Sequence, residues 1–99
     1  MSIEIRQQKR QSCPIVVCDH CGQPITEATN GNYEWKMGGS GPVYFTHKDC
    51  CREFEEAHGG TLAWNCCGLG VFSIYLDANL RVNREKEMER AAMLAQIGR

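Results

Sequence analysis

Cys18-Asp19-His20-Cys21-Gly22 and His47-Lys48-Asp49-Cys50 decide how this chain folds. Each stretch sets two metal-ligating side chains two residues apart, and 25 residues separate the two pairs. A gap of two lets one tight turn present both side chains to the same ion, and zinc takes four such ligands tetrahedrally from thiolate and imidazole. Gly22, directly after the second thiolate, suits a turn whose backbone needs a positive φ. Cys50 falls where a helix is expected to begin, and helix N–H groups favour a thiolate there. The candidate ligands of one structural Zn2+ are therefore Cys18, Cys21, His47 and Cys50. Cys51 or His20 stands as a substitute for His47.

The rest of the composition narrows the setting. The chain has 99 residues, 11 Lys+Arg against 12 Asp+Glu, 42% hydrophobic residues and seven cysteines. A chain this short buries a thin core and is commonly stapled by metal or disulfide. A formal charge of −1 provides no basic field for indiscriminate nucleic-acid binding. No apolar stretch follows the N-terminal Met1-Ser2-Ile3-Glu4-Ile5-Arg6 as a secretory signal requires. The longest apolar run, Ile15-Val16-Val17-Cys18, is too short to span a membrane. The expected location is a reducing cytoplasm, where clustered cysteines bind metal more often than they form structural disulfides. An odd count also prevents a disulfide framework from using them all.

Three segments are expected. Residues 1–12 carry +2 and form a flexible or edge segment, residues 13–60 carry −4 and hold five cysteines and all three histidines, and residues 61–99 carry +1. Within the middle segment, Cys13–Val17 reads as a short strand. Tyr33, Trp35 and Met37 alternate with Glu34 and Lys36, the period of a half-buried strand. Val43 and Phe45 open a second strand across the turn Gly38-Gly39-Ser40-Gly41-Pro42. The pattern predicts a helix over 46–57, starting at Thr46 or His47 and stopped by His58-Gly59-Gly60. Glu53, Glu55 and Glu56 read as its solvated face. Leu69, Phe72, Leu76 and Leu80 mark a later helix face that continues weakly through Met88, Ala92 and Ala95, as one helix or as two broken near Asp77, Asn79 or Asn83. The pairs Arg81/Glu85, Arg84/Glu87 and Lys86/Glu89 support an exposed helix. Trp35, Phe45, Phe54, Trp64 and Phe72 are the expected core.

A Cys-x2-Cys-Gly knuckle, a β-hairpin and a helix supplying the second pair resemble a treble-clef zinc finger. Cys18-Asp19-His20-Cys21-Gly22-Gln23-Pro24-Ile25 with His47-x2-Cys50 resembles a single LIM-like finger. The resemblance covers residues 13–57, and it departs from LIM at Glu53, where a further cysteine is expected. It implies an α+β fold built on a small zinc-stapled treble clef with a C-terminal helical extension. It also implies a surface rigidified for binding rather than catalysis.

The other candidates have plainer readings. His20 is a surface residue between the knuckle cysteines, and His58 interacts with the last carbonyls of its helix. Cys13, Cys51, Cys66 and Cys67 pack as small hydrophobes, with a second metal site or a redox pair as alternatives. Adjacent Cys66 and Cys67 make a poor chelate. A dithiol oxidoreductase needs its first thiol on a helix start, which Gly22 and Pro24 discourage. A zinc hydrolase needs an open coordination position, which four protein ligands close. The chain is thus expected not to be an enzyme but to bind a macromolecule, first a protein partner or a second copy through the C-terminal helix. The alternative is regulatory nucleic-acid binding through Arg6, Lys9 and Arg10 and through Arg81, Arg84, Lys86 and Arg90.

Overall fold

Period-two alternation places Tyr33–Met37 in a strand. The strand runs over Gly31–Lys36 with both of its faces covered, and exposed Met37 falls in the turn after it. A computed structural model describes residues 3–8 and 11–96, so Lys9 and Arg10 and the side chain of Ala95 lie outside the described residues. Two small antiparallel sheets and three helices make up the fold. In the first sheet, β1 (Ile3–Gln8) is an edge strand on β2 (Gln11–Val17), which also pairs with the two-residue β3 (Pro24–Ile25). In the second, the hairpin of β4 (Gly31–Lys36) and β5 (Tyr44–His47) is joined on its other side by β6 (Trp64–Gly68), in the order β5-β4-β6. The hairpin is the one expected from the alternation of residues 33–37 and the glycine-rich turn, whereas β6 has no such signal.

Register then sorts the side chains. Tyr33 sits opposite Phe45 and Cys67, while Glu34 sits opposite Tyr44 and Cys66. Successive residues point to opposite faces. One face therefore carries Tyr33, Phe45 and Cys67, and the other carries Glu34, Tyr44, Thr46, Trp64 and Cys66. On the first face, Phe45, Leu69, Ile25 and Cys18 form a buried cluster, with Tyr33, Val43 and Phe72 packed against it. Phe72 meets Phe45 edge-on at 5.1 Å between ring centroids. On the second face, Phe54 meets Trp64 at 5.1 Å and Tyr44 at 5.6 Å. Of the five expected core aromatics, Phe45, Phe54 and Trp64 are buried, whereas Trp35 and Phe72 are half-buried. Because the sheet is covered on both sides, Glu34 is not in water but fully buried.

Thr46 and His47 do not begin a helix. They remain paired with Asn32 and Gly31 in β5, and a 3-10 turn (Lys48–Cys50) leads into α1 (Cys51–Ala57). The expected stop at His58-Gly59-Gly60 holds: the N–H groups of His58 and Gly60 both reach the Glu55 carbonyl. Beyond β6 there are two helices, α2 (Leu69–Leu80) and α3 (Arg84–Gln96). Arg81 takes the left-handed conformation, φ 53°, and the N–H groups of Arg81 and Val82 close back on Ala78 and Asp77. This is a Schellman-type end. Asn83 then caps α3 by accepting the Lys86 N–H at 3.1 Å. Arg84 does not pair with Glu87 but reaches back across the break to Asp77 at 2.6 Å, and Glu87 pairs with Arg90.

Gly31 is where β4 crosses the main core. A Cβ built there would stand 2.8 Å from Ile25 Cγ2 and 2.9 Å from Leu69 Cδ2, both on buried side chains. Gly31→Ala is expected to destabilise the protein by about 1–3 kcal/mol, the usual cost of overpacking. Chemical denaturation of the variant beside the parent checks this.

Candidate metal centre

The first pair of donors comes from a turn that the backbone holds closed. After β2, the Cys18 N–H donates to the Gln23 carbonyl at 2.9 Å, and the Gly22 N–H donates back to the Cys18 carbonyl at 3.0 Å. Gly22 has φ +77°, the conformation its place after Cys21 calls for. Asp19 locks this knuckle to the hairpin. Its N–H donates to the Phe45 carbonyl at 2.7 Å, and its carboxylate accepts the Phe45 N–H at 2.8 Å. His47, two residues further along β5, is thereby carried over the knuckle, and the 3-10 turn brings Cys50 to the same point.

The ligand atoms of Cys18, Cys21, His47 and Cys50 all lie within 4.8 Å of one another. Zinc–sulfur and zinc–nitrogen bonds in a tetrahedron place donors about 3.5–3.8 Å apart, so the cluster needs only a small contraction around an ion. Cys21 Sγ is 3.3 Å from His47 Nδ1. The other ring nitrogen, Nε2, is 3.1 Å from the Pro24 carbonyl oxygen. A carbonyl only accepts, so Nε2 carries the hydrogen and Nδ1 turns its lone pair toward the sulfurs. A ligating histidine needs this outer hydrogen bond.

Cys18 is buried, and its sulfur accepts N–H groups from His20 at 3.4 Å, Cys21 at 3.5 Å and His47 at 3.4 Å. Burial alone pushes the thiol up, but these N–H groups stabilise the thiolate and bring it down to about 6. Cys50 goes the other way, pushed up to about 12 by burial and then by the charges of Cys18 and Cys21. Three sulfurs this close do not ionise together without a cation between them. The cluster could hold a divalent ion whose charge offsets theirs, and the donor set of three sulfurs and one nitrogen is consistent with Zn2+.

The other expected residues divide. His20 points away, with Nε2 3.1 Å from Glu53 Oε2, and His58 Nδ1 bonds the Phe54 carbonyl at 2.8 Å. Cys13 and Cys67 join no cluster of metal-ligating groups among the described residues, whereas Cys51 and Cys66 converge with Glu55. Glu55 is buried and so leaves the solvated face on which Glu53 and Glu56 remain. Glu34 and Glu55 are the two residues sequence reasoning missed. The four-residue step from Cys51 to Glu55 on one helix was the available signal. No protein-family model, curated protein or solved structure matches the chain.

Cys18→Ser is expected to remove one equivalent of zinc, measured by elemental analysis, and to lower the melting temperature sharply. Acid acts in the same direction. A thiol held near 6 against an ordinary 9.0 contributes stability that is complete above 9 and lost as pH falls through 6. A bound cation moves that loss lower still, so zinc is expected to stay bound at pH 7 and leave only below about 6. Release measured with a chromogenic chelator across pH checks this.

Proposed function

We propose that the chain is a non-catalytic zinc-binding module that acts by protein–protein interaction, with α2 and α3 as its contact surface. The centre is read as a treble clef resembling a single LIM-like finger. In support, the knuckle gives Cys18 and Cys21, the end of the hairpin gives His47, and the residue before α1 gives Cys50. Four protein donors around one point leave no open coordination position, which favours a structural ion over a catalytic one.

The observation that carries the interaction reading is the apolar character of α2 on several sides. Only Leu69 of this helix is buried, while Ile74 and Tyr75 are 61% exposed and Leu80 65% exposed. A helix that is apolar all round is ordinarily a buried one. Met88 and Met93 of α3 are exposed as well. Between the two helices runs a groove of about 380 Å3 lined by Leu76, Leu80, Val82, Met88 and Ala91 among others. The molecule is correspondingly long, 47 × 27 × 21 Å with a radius of gyration of 15.4 Å, against about 13 Å for a compact domain of this length.

The charges favour protein over nucleic acid. Arg6, Arg84 and Arg90 each end on a carboxylate, of Glu4, Asp77 and Glu87 respectively. Basic side chains held this way are poorly placed for phosphate contacts. No helix among the described residues is long and apolar enough to cross a membrane.

A second copy of the chain is the simplest occupant. Light scattering should then give a mass that rises with concentration from 11.2 kDa toward twice that value. Ile74→Asp with Leu80→Asp, both at exposed positions, should return it to the monomer without loss of zinc. A monomer at every concentration for both proteins sinks the self-association reading.

A further inference from the structure

The face of the β5-β4-β6 sheet opposite Phe45 carries a second convergence of donors. Cys51 and Glu55 stand four residues apart on α1 and so lie on one side of it. That side meets Glu34 of β4 and Cys66 of β6, which are cross-strand neighbours. Cys51 Sγ is 3.1 Å from Glu55 Oε2. The two sulfurs and a Glu55 carboxylate oxygen all lie within 4.8 Å of one another.

Glu34 supplies an independent observation. Its side chain is fully buried, and Thr46 Oγ1 donates to Oε2 at 2.7 Å. The other oxygen, Oε1, has no hydrogen-bond partner among the described residues. The carboxyl stands within reach of both Glu55 and Cys51. Two carboxylates and two thiols facing one another offer acceptors without N–H donors, and a buried carboxylate oxygen left unpaired is costly. A cation held by the three clustered donors also answers the unpaired Glu34 oxygen beside them.

We propose that Cys51, Cys66, Glu55 and Glu34 form a second metal site, which takes a divalent zinc ion in a set of two sulfurs and two carboxylate oxygens. Two thiolates in the set exclude the hard cations calcium and magnesium. Cys66 is exposed, so the ion has an entry path. Binding releases the thiol protons, and any proton the carboxylates share, to solvent. Adjacent Cys50 and Cys51 then serve two ions: Cys50 closes the knuckle centre, and Cys51 ties the first turn of α1 to β6.

The test is metal counting on the full chain, refolded with excess Zn2+ and freed of unbound ion. Two equivalents are expected, falling to one in Cys66→Ser and in Glu34→Gln. Serine at exposed position 66 is benign to the fold. Glutamine keeps the size of Glu34 and an oxygen for the Thr46 hydroxyl, so a Glu34 that serves packing alone leaves the count at two. With Co2+ as the probe, either variant should lose about two-fifths of the thiolate-to-cobalt absorption, as five sulfur ligands become three. One equivalent in the parent protein that survives Cys66→Ser overturns the proposal, as do two equivalents retained by both variants. One equivalent that is lost in Cys66→Ser but survives Cys18→Ser upholds this site and removes the knuckle centre instead.

Discussion

The sulfur of Cys18 is tied to three backbone N–H groups, two from its own turn and one from His47 at the end of β5. Its side chain also belongs to the apolar cluster of Ile25, Phe45 and Leu69. One atom thus holds the knuckle closed, docks it on the hairpin and faces the metal position. The reciprocal bonds of Asp19 with Phe45 strengthen that dock. In a chain of 99 residues, with few fully buried apolar side chains, these hydrogen bonds concentrate at one junction contacts that a larger domain would spread through its core.

The second constraint is that the β5-β4-β6 sheet is covered on both sides. Phe72 and Leu69 of α2 close one face and Phe54 of α1 closes the other. Alternation along β4 therefore does not divide buried from exposed residues. It divides one interior from another, and it sends Glu34 into a dry setting. Burial, with Glu55 nearby, pushes the Glu34 carboxyl up to about 8. A buried carboxyl with one oxygen left unpaired beside two thiols is an expensive arrangement for packing alone, and it is what gives the second cluster its chemical interest.

The two interiors lie in the body of the molecule, while the apolar surface of α2 and α3 lies outside it. Arg81 in the left-handed conformation and Asn83 at the next helix start set the angle between these helices. The Arg84–Asp77 ion pair spans the break. The break leaves the groove lined by Leu76, Leu80 and Met88 facing outward. The half that carries the cysteine and histidine cluster is thus the packed body, and the helical half presents the exposed apolar surface.

The amino-acid sequence by itself determined which residues could meet at the knuckle centre. Cys18 with Cys21, and His47 with Cys50, are each set by a gap of two, and one tight turn satisfies that gap without reference to the rest of the chain. The hairpin and the stop after α1 are local in the same sense. Tertiary structure alone decided that β6 joins β4, because Trp64–Gly68 shows no alternation of polar and apolar residues. It also decided that Thr46 and His47 stay in a strand, since their pairing with Asn32 and Gly31 outweighs helix propensity. The meeting of Cys66 with Cys51 and Glu55, beside the buried Glu34, depends on strand register and on the docking of α1. Neither is written in the spacing of residues along the chain.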